Sequence, residues 1–505
     1  MKTPGAPALQ TLLVAVSTGA LAALVLGLLF RRDRHRWKLP LSLPHQEKIL
    51  LGHALFLGSL EGLRELCVDA ASPEGVSRFN IAGRAVLSVL RAEDIKIFLG
   101  LSNFRIRMPI FKHHSDMLLG PNALIFLGHD RWKQVRRVIS KAFSWECLRD
   151  TFQDISEISE RFVCSLSGKT GEVLDMAMLS KCITVDVIGK AAFGHDFNCC
   201  RTLSLSKAVE SFEFLLQEHT KRCFKDPLNP FNYFYWLPTE NNRRFAECSK
   251  LLRDTINDIV VSRLRARDTV GFVEHQDILK HILDGIQADR SPLDPQVIAD
   301  NLLTFLFAGY ESSSITLAFA FCMMAKHPEI ARRVRAEVLG VAGETGPLTY
   351  EKVTSELPLC TAVVNETLRL FPPAPITSRS LEAPLEFRVN ETLTETLPAG
   401  TTIIIPIWWV HRSPLNFDNP DAFDPDRFLD PSRADRIHRF AHIPFSGGGR
   451  DCVGRRFAML EIVAVLAAVM RRLSFECPAD LHLRPELNGF THRNVGGMPL
   501  KVSSH

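Results

Sequence analysis

Two apolar stretches dominate the chain, and their flanks give them different fates. From Thr11 to Phe30 no side chain is charged, and as an α-helix the stretch spans about 30 Å, enough for the hydrocarbon core of a bilayer. The run Arg31-Arg32-Asp33-Arg34-His35-Arg36-Trp37-Lys38 follows, against only Lys2 and the amino terminus ahead. That asymmetry predicts a retained signal anchor over residues 1–38, with residues 39–505 on the cytoplasmic side. A cleaved signal peptide is the rival reading. The apolar run is longer than an ordinary signal core and lacks a small-x-small site before the arginines. The second stretch, Asn301 to Met324, is apolar or small almost throughout. It lies in a helical pattern that Asp294 opens as N-cap, with Pro295 at the first helical position, and that closes before His327-Pro328. A helix apolar on most sides crosses a core.

Elsewhere the period is that of half-buried helices. It predicts helices over Glu93–Leu99, Asp130–Phe143, Cys147–Leu166, Leu205–His219, Glu240–Arg267, Gln276–Ile286, Glu329–Leu339, Glu356–Leu370 and Phe457–Arg472. Short alternating runs predict strands at Ser77–Ile81, Ala85–Val89, Glu386–Val389 and Thr401–Pro406. The fold class is therefore mainly α with small β-sheets. No internal repeat, low-complexity tract or long linker divides the 505 residues, so one large domain behind the anchor is the simplest organisation.

Composition narrows this only a little. Hydrophobic residues make up 46% of the chain, ample for a large core, and the net charge of +4 is too small to point to nucleic acid. Twelve cysteines are scattered without a Cys-x-x-Cys pair, and adjacent Cys199-Cys200 make an awkward disulfide. Neither a zinc site nor a disulfide framework is indicated. The sequons Asn365-Glu366-Thr367 and Asn390-Glu391-Thr392 would face the cytosol and stay unmodified.

One cysteine is different. Phe445-Ser446-Gly447-Gly448-Gly449-Arg450-Asp451-Cys452-Val453-Gly454 places Cys452 in a glycine-rich loop just ahead of a helix that starts near Arg455. Such a loop can expose a thiolate to a metal. Glycines allow positive φ and close approach to a flat ligand, and inward amides and a helix N-terminus stabilise the sulfur's charge. The bland alternative is a turn around an inert cysteine. In the long helix, Ala308-Gly309-Tyr310-Glu311-Ser312-Ser313-Ser314 is the polar exception. A carboxylate and hydroxyls there are costly unless satisfied or used, and serines bonding back to carbonyls one turn earlier would satisfy them. Glu366 and Arg369 share a helical face by their i,i+3 spacing, worth about 0.2–0.5 kcal/mol if exposed.

The pattern Phe-x-x-Gly-x-Arg-x-Cys-x-Gly resembles the cytochrome P450 family of heme-thiolate monooxygenases, as do Glu366-Thr367-Leu368-Arg369, Pro425-Asp426-Arg427-Phe428 and the Ala308–Ser314 segment, in the family's order. The likeness covers roughly residues 40–500. It implies the family fold, with heme b between the central helix and the loop, Cys452 as axial ligand to the iron, and Phe445, Arg450 and Gly454 in its cradle. It implies a structural ion cluster of Glu366, Arg369 and Arg427. Ala308 and Gly309 would leave room over the iron, and Glu311 and Ser312 would be the acid and alcohol that pass protons to dioxygen. Trp132 and Arg136, in Trp132-Lys133-Gln134-Val135-Arg136, together with Arg379 and Arg450, match the family's propionate contacts.

Two positions depart from the common pattern. Ser312 replaces the usual threonine and loses the methyl that restricts its rotamer. Ala308 stands where some fatty-acid ω-hydroxylases carry a glutamate that esterifies heme, a bond Ala308 cannot form.

The implied activity is insertion of one oxygen atom of O2 into a lipophilic substrate such as a fatty acid, sterol, terpenoid or xenobiotic. Thiolate ligation favours O–O cleavage. Because no flavin or nicotinamide fingerprint is visible, electrons must come from an NADPH-cytochrome P450 reductase or similar donor. Arg433, Arg436, Arg439, Arg455 and Arg456 around Cys452 offer it a basic docking face. The resemblance also implies a membrane-anchored enzyme, of the endoplasmic reticulum if the source is eukaryotic. Segments Phe104–Phe126, Pro227–Pro238, Pro375–Thr377 and Gly489–Thr491 fall where the family lines its pocket. The aromatic cluster Phe231, Tyr233, Phe234, Tyr235 and Trp236 either dips into the membrane interface or is core. Two rivals are a hydroperoxide isomerase or dehydratase on the same scaffold and a non-catalytic heme-binding membrane protein. Neither needs the Glu311-Ser312 pair.

Overall fold

The computed structural model describes residues 37–42, 58–81, 84–101, 109–225, 234–288 and 294–505. The expected membrane helix and most of its basic stop lie outside the described residues. In chain order the elements that frame the site are β1 (Val76–Ile81), β2 (Arg84–Val89), α1 (His129–Ala142), α2 (Trp145–Ser167), β3 (Val173–Asp175), α3 (Met176–Phe193), α4 (Lys207–Thr220), α5 (Glu240–Arg267), α6 (Pro295–Lys326), α7 (Pro328–Ala342), α8 (Pro358–Leu370), β4 (Thr377–Ser380), β5 (Leu385–Arg388), β6 (Thr394–Leu397), β7 (Thr402–Ile405), α9 (Arg455–Arg472), β8 (Leu473–Glu476), β9 (Pro485–Asn488), β10 (Thr491–Asn494) and β11 (Pro499–Ser504).

The long helix forms as its pattern predicts. Asp294 caps α6 by accepting from the Val297 amide at 2.8 Å, with Pro295 at the first position. Its apolar surface is covered nearly all round, most extensively by α3, and also by α5, α8 and α9. It is long and apolar enough to cross a membrane, but most of it is buried inside the domain, so it is the core helix.

The helix α3 has no counterpart among the predicted elements. It is buried on almost every side, from Met176 to Phe193, so it has no polar face to set a 3.6-residue alternation, and a short buried helix cannot be told from a strand by period alone. The predicted strands are found within a residue or two of their bounds, inside larger sheets. Among the described residues β1-β2-β7-β4 form a mixed sheet with β2 parallel to β7, while β3-β11-β8 and the hairpins β5-β6 and β9-β10 are antiparallel. The chain enters this domain at a fixed point: the amides of Lys38 and Leu39 both donate to Glu395 Oε2 at 2.7 Å, and the Arg78 guanidinium covers the Trp37 ring.

All twelve cysteines are free thiols, including Cys199 and Cys200, whose amides donate to the buried Asp186 carboxylate.

Candidate functional site

The Cys452 loop is shaped by a few specific contacts. The Cys452 amide donates to the Phe445 carbonyl at 3.0 Å, and the residues between them form a tight turn with Ser446 at φ 59° and Gly448 at φ 70°. A Cβ on Gly448 would lie 2.0 Å from the Leu99 carbonyl oxygen, so this glycine is required twice over. The other loop glycines do not use the left-handed region: Gly447 is extended at φ −167° and Gly454 has φ −85°. The expectation that all of them serve positive φ is corrected to Gly448 alone. The Cys452 side chain is exposed, ahead of the first turn of α9.

Basic residues brace the same loop. Arg450 is buried, donates to the Leu127 carbonyl at 3.0 Å and lies over the Trp132 ring, 4.1 Å from its centroid. Arg379, fully buried on β4, donates to the Gly447 carbonyl at 2.8 Å and Ser446 Oγ at 3.2 Å. Arg136 grips Asp451 twice, at its carbonyl (2.8 Å) and its carboxylate (2.7 Å). Trp132, Arg136, Arg379 and Arg450 are thus brought together around one loop, although Arg136 spends its guanidinium on Asp451. Outside the loop, a groove of about 650 Å³ is lined by Arg136, Trp145, Phe445, Cys452, Arg455 and Arg456. Arg455, Arg456, Arg436 and Arg439 are exposed on this side, while Arg433 is tied to Asp424.

Behind the loop lies the ion cluster. Arg369 makes a two-point contact with Glu366, 2.8 Å on each oxygen, and its remaining donors go to the carbonyls of His411, Pro420 and Ala422. Arg427 stands 3.6 Å from Glu366 Oε1, which also accepts from the Asp424 amide. His411, not foreseen from the sequence, carries this frame to the loop. Its Nε2 accepts from the Ile443 amide at 2.8 Å, so Nδ1 holds the proton, toward the Arg369 carbonyl at 3.2 Å. Burial holds it neutral, well below the usual imidazole range. A lone histidine gives no sequence signal for such a role.

Across the site, α6 presents Ala308 exposed and Gly309 half-buried. The absent Cβ of Gly309 would meet Ile188 of α3 at 3.0 Å, so this glycine first serves helix packing. Ser312 Oγ donates to the Ala308 carbonyl at 2.6 Å and Ser314 Oγ to the Glu311 carbonyl at 2.9 Å, the back-bonding alternative realised. Glu311 is buried: Oε1 accepts from Thr491 Oγ1 at 3.3 Å, and Oε2 has no hydrogen bond, with Lys181 Nζ at 3.9 Å. Burial raises its carboxyl above the ordinary glutamate value, with Lys181 acting against the rise. Burial also opposes the charge on Lys181, but Glu311 and Glu213, the latter at 2.7 Å, together hold it above its usual value. Lys181, Glu213 and Thr491 were not foreseen, because they become neighbours only through the packing of α3, α4 and β10 on α6.

The expected pocket segments converge in part. The Phe490 ring lies against Phe126 (5.9 Å between centroids), Phe307 (6.5 Å) and His219 (5.4 Å). Phe104, Phe231 and Tyr233 lie outside the described residues. The aromatic cluster divides: Tyr235 packs on Phe245 and bonds His114 Nδ1 at 2.8 Å, whereas Trp236 is 77% exposed.

Among the described residues no group of three or more His, Cys, Asp or Glu side chains could hold a metal ion. The exposed sulfur of Cys452, in a loop braced by Arg136, Arg379 and Arg450, fits a heme, whose iron takes a thiolate and whose carboxylates take cations.

Comparison with known proteins agrees with this geometry. The family model "Cytochrome P450" matches residues 43–498. The chain is 28% identical to cytochrome P450 4X1 of Rattus norvegicus over 88% of this chain and 86% of that one. It is 28% identical to the protein LUTEIN DEFICIENT 5, chloroplastic, of Arabidopsis thaliana over 77% of this chain and 65% of that one. Among solved structures, a cytochrome P450DA heme domain superposes with TM-score 0.76 at 21% identity, covering 88% of this chain and 92% of that one, a likeness of fold.

Proposed function

Since the chain belongs to the cytochrome P450 family, whose members bind heme through a cysteine thiolate, we propose that Cys452 is that ligand and that the protein is a membrane-anchored monooxygenase of lipophilic compounds. The observation that carries this reading is the Cys452 loop, clamped by Arg136, Arg379, Arg450 and the Phe445 carbonyl so that its sulfur stays exposed. When bound, heme supplies the activation of O2 and the insertion of one oxygen atom.

The chain's own residues then do three things. Arg450, Arg379 and the ion cluster behind them hold the loop rigid, and their cations favour negative charge on a bound carboxylate-bearing group. Ala308, exposed on the central helix, keeps that helix thin there. Glu311, its carboxyl raised above the ordinary glutamate value by burial, serves as the proton-holding group at Oε2, with the half-buried Lys181 and Glu213 linking it toward solvent and Ser312 next to it along the helix. The retained acid and alcohol favour oxygen activation over rearrangement of a hydroperoxide, which needs neither.

Two electrons come from a redox partner. The exposed Arg436, Arg439, Arg455 and Arg456 suit an acidic surface such as that of an NADPH-dependent reductase. Residues 1–38 act as the anchor of a catalytic domain spanning 39–505, and the double hold of Lys38 and Leu39 on Glu395 sets the side that faces the bilayer. The substrate falls among fatty acids, sterols, terpenoids and xenobiotics, seated near Phe126, Phe307 and Phe490.

The test is reduction of the purified protein under carbon monoxide, followed by turnover of a lipid panel with NADPH and reductase. A thiolate-type Soret band and NADPH-dependent product are expected. A histidine-type band rejects Cys452 as ligand, and turnover of hydroperoxide alone favours the rearranging class.

A further inference from the structure

The loop between the helix Pro109–Leu119 and the turn Leu124–Phe126 is fastened to the core helix by two neighbouring side chains of α6. Asp300 is fully buried, and its Oδ2 accepts from the Asn122 backbone amide at 3.1 Å and from the Asn122 side-chain amide at 3.0 Å. Asn301, also buried, accepts from the Leu124 amide at 3.0 Å and donates to the Asn122 carbonyl at 3.1 Å. Two side chains thus satisfy three backbone groups of one loop, a task that otherwise falls to a paired strand. The fit leaves no slack. Gly120 has φ 90°, and a Cβ on it would collide with Asp300 Oδ1, so only glycine lets the loop come this close.

The fastening is itself braced. Gln296 donates to Asp300 Oδ1 at 2.8 Å, and Asn301 donates back to the Val297 carbonyl at 2.8 Å. Arg253 of α5 stands 3.7 Å from Asp300 Oδ1 and donates to the Met117 carbonyl at 3.2 Å. Both oxygens of Asp300 are engaged, which suits a group that holds a position and not one that exchanges protons.

What is held in place is Phe126. It lies half-buried just after the fastened stretch, and the next carbonyl, that of Leu127, takes the Arg450 bond at 3.0 Å. The segment is therefore fixed on both sides of that ring, by α6 before it and by the cysteine loop after it. The Phe126 ring meets Phe490, which in turn meets Phe307. Phe307 follows Asp300 by seven residues on α6, about two turns, so the two share one face of the helix. One helix carries an aromatic wall of the expected substrate seat together with the side chains that set how far off the opposite wall stands.

Resting on the monooxygenase reading above, we propose that Asp300 and Asn301 are specificity-determining positioning residues, which fix the gap between Phe126 and Phe307 and so the bulk of the lipophile that the seat admits. Neither touches the substrate; both act through Phe126. A wall tied to the core helix by hydrogen bonds that have no water to replace them does not swing aside for a larger molecule. The seat therefore takes slender lipophiles and selects against bulky ones.

The experiment uses the heme-loaded full chain and two azoles that ligate ferric heme, imidazole and the bulky 1-tritylimidazole, titrated by their Soret shifts. Asn301→Ala and Asp300→Ala should each strengthen binding of 1-tritylimidazole several-fold relative to imidazole, and Phe126→Ala should do so at least as much. Adding Asn301→Ala to Phe126→Ala should change the ratio no further, because the effect runs through that ring. Hydrogen exchange reads the fastening directly: the Asn122 and Leu124 amides should be slow in the native protein, and about 10-fold faster or more when Asp300 or Asn301, respectively, is replaced. Faster exchange with an unchanged azole ratio, or equal effects of Asn301→Ala with and without Phe126, overturns the proposal. If the two α6 variants do not fold, Phe126→Ala and native exchange decide, and an unchanged ratio or fast native exchange overturns it. A native protein without a thiolate band overturns the monooxygenase reading instead, an outcome separate from the exchange rates.

Discussion

Glu366 and Glu311 are both sealed inside the protein, yet their surroundings are opposites. Glu366 takes two bonds from Arg369 and one from the Asp424 amide, with Arg427 close by. Glu311 has one long hydroxyl contact, a lysine at 3.9 Å and an oxygen with no bond at all. A saturated carboxylate has no capacity left to exchange protons, and removing any partner strands a charge. An unsaturated one is poorly satisfied and free to change its protonation state. Residual bonding capacity, and not burial, separates the group that holds the fold from the group proposed to carry protons.

The comparison breaks most visibly at Arg369. Arg369→Leu leaves Glu366 without its two-point partner and frees the carbonyls of His411, Pro420 and Ala422, a loss of about 3–5 kcal/mol. That is a large share of the roughly 5–15 kcal/mol of a folded protein. Little soluble, heme-loaded protein is expected, measured as the ratio of Soret to protein absorbance. A variant that folds and binds heme normally would remove the cluster from its structural role.

Glu311→Gln should do the reverse. The amide keeps the shape and the Thr491 contact, so the thermal midpoint should move little, while product formation falls by about 100-fold or more with loss of a positioned acid. Steady-state turnover beside a melting curve checks both halves, and a large drop in stability with normal activity would erase the contrast with Arg369.

How much of this was legible in the sequence follows from the same distinction. The Cys452 loop, the Glu366–Arg369 pair and α6 are local patterns whose residues sit within a few positions of one another, whereas Arg427, far along the chain from Glu366, was added to the pair by family resemblance. Lys181, Glu213 and Thr491 come together around Glu311 only through the packing of elements far apart in the chain. Alternation exposes half-buried helices such as α2 and fails for α3, where nearly every position is covered. Arg136 shows the remaining limit: its place by the loop was readable, but its engagement by Asp451 depends on two side chains 315 positions apart.

Ser312 sharpens the working side. Its hydroxyl rests on the Ala308 carbonyl at 2.6 Å, so Ser312→Ala removes a back-bond that an exposed helical carbonyl can replace with water, at under about 1 kcal/mol. Hydrogen peroxide released per NADPH should nevertheless rise several-fold. Ser312→Thr should lower it, because the added methyl narrows the rotamers open to the hydroxyl. Equal peroxide yields in all three proteins would take Ser312 out of the relay.

The smallest effect tests whether distance alone could explain the cluster. Lys501 and Glu476 join β11 to β8 at 3.0 Å, almost as close as Arg369 and Glu366 at 2.8 Å, but their side chains are 44% and 63% exposed while those of the cluster are fully covered. Water competes for both exposed charges, salt screens them, and two long side chains lose rotamer freedom in the pairing. Lys501→Ala should therefore shift stability by no more than about 0.5 kcal/mol, with the shift shrinking further as salt is added. Chemical denaturation at low and high ionic strength checks this. A loss comparable to that of Arg369→Leu would mean that charge proximity, not saturation in a sealed site, decides which ion pairs the fold depends on.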